Sequence, residues 1–201
     1  MGISMGINFK ALLGLAMAVL LSACGHDARD GRNTQYIGGG GRVNQSASHD
    51  TVSYWDGGSA SGSPSAIIDL GDQRAYFYKG GKLVGVSAVS TGREGYGTPT
   101  GNFKIIQKNK DHKSNLYGDY VDAAGNVLQK DIGVRTHPKP PGAIFDGAKM
   151  PYFMRIVGGT GMHAGFLPGY AASHGCIRMP EFMAEKFFNN LAMGTPVTIR
   201  H

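Results

Sequence analysis

Short apolar segments separated by turns run through residues 65–201, and this spacing restricts the fold more than any other feature of the chain. Such segments are typical of strands, because a helix needs a longer periodic run. The predicted strands cover residues 66–70, 75–78, 83–90, 103–107, 120–121, 127–128, 153–157, 161–163 and 196–200. Residues 79–81 and 122–126 both contain glycine and are typical of hairpin turns. The pattern predicts a mainly β domain with few helices.

One segment, residues 180–193, has the marks of a helix. Pro180 lies in its first turn, where the missing N–H does not weaken the helix. Glu181 interacts favourably with the positive end of the helix dipole, and Gly194 is a typical helix end. The mostly β part of the chain is long enough for one domain with a sizeable core.

The residue types around Cys176 indicate nucleophilic chemistry. Cys176 directly follows Gly175 and lies two residues after His174, while His163 lies 13 positions upstream. A thiol becomes a strong nucleophile when a histidine takes its proton. The glycine lets a substrate carbonyl approach the backbone, where neighbouring N–H groups can hold an oxyanion. This grouping predicts acyl transfer through a thioester.

Residues 173–178, Ser-His-Gly-Cys-Ile-Arg, together with the upstream His163, resemble the catalytic signature of the L,D-transpeptidases (YkuD-type domain) of bacterial cell walls. Other segments resemble the family's in the same order: Ile-Ile-Asp-Leu at 67–70, Ser-Thr-Gly at 90–92, Thr-Pro-Thr-Gly-Asn-Phe at 98–103 and Gly-Thr-Pro-Val at 194–197. The chain departs from many members at Ala164, where they have glycine, and in the shorter spacing from histidine to cysteine. The resemblance implies one β-sandwich or barrel-like catalytic domain over residues 65–201.

The resemblance also implies a role for each residue of the motif. Cys176 is the nucleophile, and His163 takes its proton and later protonates the leaving amine. His174 orients the loop or helps to hold the oxyanion, and it competes with His163 for the role of base. The backbone N–H groups of Gly175 and Cys176 form the oxyanion hole. A histidine that activates the thiol is expected to lower the thiol's pKa.

Three further residues are predicted to act on the substrate side of the site. Arg178 braces the loop or pairs with a substrate carboxylate. Ser173 shapes the loop, and Tyr170 lines the cleft or packs beside it. The segment at residues 111–150 is long and polar for a compact domain, so it is expected to form either a flap over the thiol or a solvent-exposed loop.

The reaction implied by the resemblance is acyl transfer on the stem peptides of peptidoglycan, and it requires no cofactor. The thiol attacks the carbonyl that joins diaminopimelate, the third residue, to D-Ala, the fourth. D-Ala leaves and a thioester remains. An amine then resolves the thioester: another stem, giving a cross-link, the lysine of an envelope lipoprotein as protein acceptor, or a free D-amino acid.

Three other functions fit the same residues. With water as acceptor, the domain is an L,D-carboxypeptidase or an endopeptidase of murein peptides. His163, His174 and Cys176, with His137, supply suitable zinc ligands, although their spacing matches no usual zinc pattern. The third alternative is a murein-binding lipoprotein without catalysis. The net charge of +6 comes with no run of basic residues, so nothing indicates binding to nucleic acid.

The N-terminus predicts a lipid anchor. Lys10 is the only charge before the apolar run of residues 11–21, which is shorter than the about 20 residues of a membrane-spanning helix and fits a secretory signal. Leu-Ser-Ala-Cys at residues 21–24 resembles a bacterial lipobox, which makes residues 1–23 a signal peptide and Cys24 the lipidated first residue. A signal peptide cut before a free cysteine is the alternative. Asp after the lipidated cysteine is the signal that retains enteric lipoproteins in the inner membrane. No Asp follows Cys24, so the expected location is the periplasmic side of the outer membrane.

Residues 24–64 are predicted to form a flexible linker between the lipid and the domain. The segment is rich in glycine and has few large apolar residues, so it cannot bury enough surface to become ordered. Tyr54 and Trp55 either dock on the domain or remain solvated. The chain has 2 cysteines, and once Cys24 carries lipid, Cys176 has no disulfide partner within the chain. An unpaired thiol in an oxidising compartment favours a reactive role.

Overall fold

The computed structural model describes residues 50–201; the predicted signal peptide, Cys24 and the linker as far as residue 49 lie outside them. The elements of this part are β1 (Tyr54–Trp55), β2 (Pro64–Asp69), β3 (Arg74–Lys79), β4 (Lys82–Ala88), β5 (Gly101–Lys104), β6 (Gln107–Val121), β7 (Val127–Gly133), β8 (Ile144–Val157), β9 (Thr160–Ala164), β10 (Ile177–Met179), α1 (Glu181–Asn190) and β11 (Pro196–Arg200). Within residues 50–201, no helix is both long enough and apolar enough to cross a membrane.

The strands form two sheets. The first has six strands in the order β1-β4-β3-β2-β11-β5, and the second has five in the order β10-β9-β8-β6-β7. The pairs β11–β2 and β10–β9 are parallel, and the remaining pairs are antiparallel. The prediction of a mainly β domain with few helices is confirmed.

One hydrophobic core joins both sheets to the helix. Ile68 and Phe77 of the first sheet, Met154 and Ile177 of the second, and Phe187 of α1 are fully buried in it. Burial of a side chain of this size stabilises a fold by about 1.5–3 kcal/mol. Because side chains alternate along a strand, the other face of the second sheet is left for residues that do not belong to this core.

Helix α1 begins at Glu181, one residue after the predicted start at Pro180, and ends at Asn190, earlier than the predicted end at residue 193. Leu191 takes an extended backbone conformation and is fully buried in the core. Gly194 then has a φ of +83°, which glycine adopts without strain. The helix therefore stops where the chain must turn to bury Leu191 and enter β11.

The polar segment at residues 111–150 forms strands rather than a long loop. It contains most of β6, all of β7 and the first part of β8, with β6 paired to both of the others. A small second core of Tyr120, Ile132 and Ala143 supports this part of the sheet. Most other side chains here remain at least partly exposed, which explains the polar sequence.

A bulge interrupts the pairing of β6 with β8. Where β6 advances from residue 113 to 118, β8 advances only two positions. The four residues 114–117, which lie opposite one residue of β8, form what we call the β6 bulge. The hydroxyl of Ser114 closes it by accepting the N–H groups of Leu116 and Tyr117, at 3.2 and 3.0 Å. These hydrogen bonds fix the backbone that carries Leu116 and Tyr117 out of the sheet.

The end of the predicted linker belongs to the domain. Strand β1 pairs with β4, and the ring of Trp55 packs edge-on against Phe77, with centroids 4.8 Å apart. A Cβ on Gly85 would lie 2.8 Å from the Trp55 ring, so only glycine leaves room for the indole. Trp55 therefore docks, whereas Tyr54 beside it is exposed.

Candidate active site

Two neighbouring strands bring the predicted catalytic residues to one face of the second sheet. Strands β9 and β10 are parallel, and His163 lies opposite Arg178. Opposite residues share a face, and Cys176 precedes Arg178 by two positions, so its side chain leaves the backbone on the same side. The alternate residues Met162 and Ile177 are fully buried in the core. The sheet therefore separates the core on one face from His163, Cys176 and Arg178 on the other.

The ring of His163 is oriented by the backbone of the next residue. Nδ1 of His163 lies 2.8 Å from the carbonyl oxygen of Ala164, which can only accept, so Nδ1 carries the proton. Nε2 is left as the nitrogen with a free lone pair. Because the orienting group is a backbone carbonyl, alanine in place of the family's glycine leaves this contact intact.

Burial keeps His163 neutral. Its side chain is 5% exposed, and desolvation lowers its pKa to about 4. The hydrogen bond to Ala164 acts in the opposite direction, while the positive charges of Arg178 and His112 lower the pKa further. At neutral pH, His163 is therefore an unprotonated imidazole that can accept a proton.

The thiol of Cys176 is protonated in the free protein. Burial raises its pKa, although the N–H of Gly161 and the positive charges of Arg178 and Arg155 act in the opposite direction. The expectation of a lowered thiol pKa is therefore wrong for the free protein. The resting pair is a thiol and a neutral imidazole, rather than a thiolate and an imidazolium.

The thiol rests against the turn between β8 and β9. Its S–H donates to the carbonyl of Gly159, with sulfur and oxygen 3.6 Å apart. Nη1 of Arg155 donates to the next carbonyl, that of Gly158, at 2.8 Å, and so holds the turn in place. A Cβ on Gly161 would lie 2.6 Å from the ring of Phe153, so this position beside the thiol requires glycine.

The Ser-Thr-Gly and Thr-Pro-Thr-Gly segments hold the nucleophile loop, residues 173–176. The carbonyl of Thr91 accepts the N–H of Ser173 at 2.9 Å, and Ser90 exchanges two backbone hydrogen bonds, each 3.0 Å long, with Arg178 just after the loop. The hydroxyl of Thr98 accepts the N–H of Gly92 at 2.9 Å and donates to the carbonyl of Gly175 at 3.0 Å. The two segments, distant in sequence, therefore position the loop that carries the thiol.

The hydroxyl of Ser173 makes two hydrogen bonds within the nucleophile loop. It accepts the N–H of Gly175 at 3.0 Å and donates to the carbonyl of Cys176 at 2.6 Å. The N–H of Gly175, which the resemblance assigns to the oxyanion hole, makes this hydrogen bond within the loop in the free protein. Gly175 also supplies a φ of +104°, which turns the chain so that Cys176 reaches the site.

His174 lies in a cluster that the sequence did not reveal. Nη2 of Arg93 is 2.8 Å from Nε2 of His174. The ring of Tyr117, in the β6 bulge, stacks on His174 with centroids 4.3 Å apart, and Tyr96 meets it edge-on at 4.7 Å. Part of the segment at residues 111–150 therefore lies over the nucleophile loop.

The remaining predicted residues border the site. The guanidinium of Arg178 donates no hydrogen bond to residues 50–201. Arg178 therefore braces the loop through its backbone hydrogen bonds to Ser90. Tyr170 is 64% exposed, and its carbonyl accepts the hydroxyl of Ser90 at 2.7 Å. Over the same described range, no group of three or more His, Cys, Asp or Glu side chains is arranged to hold a metal ion, and the predicted alternative ligand His137 hydrogen-bonds within its own turn.

Two β-sheets around a shared core, with a half-buried thiol and a buried neutral imidazole on one of them, define a mainly β domain with a cysteine–histidine site. The family model of the YkuD L,D-transpeptidase catalytic domain matches residues 63–199. The chain therefore belongs to the YkuD L,D-transpeptidase family. No curated protein matches the chain.

Solved structures of L,D-transpeptidases share the fold. The protein from Stackebrandtia nassauensis is 21% identical with a TM-score of 0.51, and the match covers 71% of this chain and 57% of that one. The protein from Mycobacterium smegmatis is 16% identical with a TM-score of 0.53, covering 69% and 59%. A mutant of the Enterococcus faecium protein is 23% identical with a TM-score of 0.52, covering 70% and 50%. This chain thus spans less than two thirds of each of these proteins.

Proposed function

We propose that the chain is a peptidoglycan L,D-transpeptidase in which Cys176 forms a thioester with a stem tetrapeptide. The observation that carries this proposal is the placement of Cys176, His163 and Arg178 on one face of paired strands. His163 is neutral there, its Nε2 is free to accept a proton, and its orientation is fixed by a backbone carbonyl. These are the properties that a general base for an un-ionised thiol needs.

In the first half-reaction, Sγ of Cys176 attacks the carbonyl between diaminopimelate and D-Ala. The thiol proton passes to Nε2 of His163 as the S–C bond forms, because the resting thiol is not ionised. His163 then protonates the nitrogen of D-Ala, the C–N bond breaks, and D-Ala leaves. In the second half-reaction, the acceptor amine gives a proton to His163 and attacks the thioester, and that proton restores the thiol.

The charge around the thiol suits an anionic donor peptide. Arg178 and Arg155 are the positive charges that act on Cys176. The Arg178 guanidinium has no hydrogen-bond partner within residues 50–201, and it is the group we assign to a carboxylate of the stem peptide. A bidentate pair with that carboxylate would hold the scissile carbonyl next to Sγ.

We assign transfer to an amine, rather than to water, on the position of the β6 bulge. The bulge stacks Tyr117 on His174, two residues before the thiol, and brings Leu116 near Gly159, whose carbonyl accepts the thiol's hydrogen bond. Side chains at these places would limit the access of water to a thioester once the peptide is bound. A stem peptide, a D-amino acid and a protein lysine are the acceptors that this chemistry admits.

We place the enzyme in the cell envelope, attached to the outer membrane by lipid on Cys24 and facing the periplasm. This part of the proposal rests on the lipobox-like sequence at residues 21–24. The linker that follows would give the catalytic domain access to murein at a distance from the membrane.

The test is product analysis by mass spectrometry after incubation of the full chain with disaccharide-tetrapeptide and a D-amino acid. We expect amide products to exceed tripeptide, and Cys176→Ala to give neither. Tripeptide as the main product at saturating amine would replace the proposal by an L,D-carboxypeptidase. Unchanged turnover in Cys176→Ala would overturn the assignment of the nucleophile.

A further inference from the structure

The side chain of His174 has one hydrogen-bond partner among residues 50–201, the guanidinium of Arg93, with Nη2 and Nε2 2.8 Å apart. An arginine side chain carries donors only, so Nε2 must be the acceptor. A neutral imidazole with an accepting Nε2 has its proton on Nδ1. Burial and the charges of Arg93 and Arg178 lower the pKa of His174, whereas Asp131 acts in the opposite direction.

Two tyrosines contact the imidazole ring of His174 and oppose its rotation about the Cβ–Cγ bond. Tyr117 stacks on it at an interplanar angle of 20°, and Tyr96 meets it edge-on at 84°. The guanidinium of Arg93 lies 4.4 Å from the centre of the Tyr96 ring, so this tyrosine contacts both members of the pair. These contacts oppose the rotation of the ring that would exchange Nδ1 for Nε2.

The backbone of Arg93 is attached to the nucleophile loop itself. Its N–H donates to the carbonyl of Ser173 at 3.1 Å, and its carbonyl accepts the N–H of Tyr96 at 2.9 Å. Arg93 and His174 are therefore held close together at their backbones, and the guanidinium needs no movement of the loop to reach Nε2.

We propose that Arg93 is a positioning residue that fixes His174 as the Nδ1–H tautomer, which makes His174 a hydrogen-bond donor and excludes it as the base. With the Nε2 lone pair occupied, His174 cannot take the proton of Cys176, and that role is left to His163. Nδ1–H remains available to a carbonyl or carboxylate oxygen of the peptide. The tautomer does not depend on the substrate, whereas its effect on turnover rests on the proposed function.

The first test is nitrogen NMR of the histidine-labelled full chain in detergent, with the His174 signals identified from their loss in His174→Gln. In the wild type, Nε2 should resonate as an acceptor nitrogen and Nδ1 as a protonated one. Arg93→Met removes the donor, so the Nε2–H form should appear. Arg93→Lys keeps a charged donor and should retain the Nδ1–H form, as should the control Arg135→Met, at an exposed residue. An Nε2–H form in the wild type, or an unchanged spectrum in Arg93→Met, would overturn the proposal.

The second test is the pH dependence of turnover. The charged groups that act on His174 are Arg93, Arg178 and Asp131. Arg93→Gln removes one positive charge, so His174 should be protonated at a higher pH. The acid limb of the pH profile of kcat should therefore shift to higher pH in this variant, whereas Arg93→Lys should leave that limb unchanged.

In Arg93→Met, kcat should fall about tenfold or more, as expected on loss of a charged hydrogen bond, with KM little changed. Identical acid limbs in the Gln and Lys variants would contradict the role of Arg93. A wild type without transferase activity would refute the proposed function and leave the NMR result standing.

Discussion

The buried histidine predicts that the domain becomes less stable as the pH falls. Burial lowers the pKa of His163 to about 4, from the value of 6.5 expected in the unfolded chain. Between these two values the unfolded chain binds a proton that the folded domain does not. The free energy of unfolding therefore falls as the pH drops from 6.5 to 4, and below that range the loss is complete. The difference of about 2.5 pKa units, at about 1.4 kcal/mol per unit, gives about 3 kcal/mol.

The variant that isolates this effect is His163→Asn. Asparagine does not titrate, and its amide can donate to the carbonyl of Ala164 from nearly the position of Nδ1. Between pH 7 and pH 4, the variant should lose about 3 kcal/mol less stability than the wild type. The assay is urea unfolding at each pH, followed by the fluorescence of Trp55, the chain's 1 tryptophan, which packs on Phe77. An effect of this size is a large fraction of the total stability of a typical domain.

The control is His201→Gln, at an exposed residue, which should follow the wild type at every pH. Burial also lowers the pKa of His112 and His174, but both are present in all three proteins, so their contributions cancel in the comparison. Equal losses of stability in wild type and His163→Asn would mean that His163 is not buried in its neutral form. The assignment of this residue as the resting base would then fail.

Four further substitutions test other parts of the molecule. Cys176→Ala should abolish the release of D-Ala, measured by mass spectrometry, and leave the urea midpoint unchanged, because the thiol lies outside the main core. Thr98→Val leaves the N–H of Gly92 without its partner and should lower the free energy of unfolding by about 1–3 kcal/mol and reduce turnover. Trp55→Ala should destabilise the domain by about 3 kcal/mol in thermal unfolding followed by circular dichroism; no change would mean that β1 is not part of the folding unit. Cys24→Ser should abolish the lipid mass and the membrane partitioning of the wild type, and a soluble, unmodified wild type would refute the anchor.

Local pattern was sufficient for much of the fold. Strands such as β3 and β11 contain enough apolar residues to be recognised, and Pro180 and Glu181 give the start of α1 to within one residue. Local pattern did not predict the long strands of residues 111–150, because these strands extend beyond the main core. With both faces partly in water, β6 needs no apolar alternation, and its strand structure depends on pairing with β8.

The residues of the site also differ in how far the sequence predicts them. Cys176, His174 and Gly175 could be predicted as site residues because they are near neighbours in sequence, and His163 because it matches the upstream histidine of the family motif. The partnership of Arg93 with His174 joins residues 81 positions apart, and nothing in the local sequence of either indicates the other. The direction of the thiol pKa was missed for a related reason, since burial is a property of the packed domain and not of the motif.

The alternation along β9 and β10 has a consequence for sequence divergence. Each functional residue on these strands has neighbours that belong to the core: His163 lies between Met162 and Ala164, and Arg178 between Ile177 and Met179. A change in the volume of one of these apolar side chains displaces the strand and, with it, the reacting groups on its opposite face. Substitutions in this part of the core should therefore reduce turnover at a level of destabilisation that folding still tolerates. Apolar positions beside the site are thus constrained by catalysis as well as by packing, and they should diverge more slowly than equally buried residues of β2 and β3.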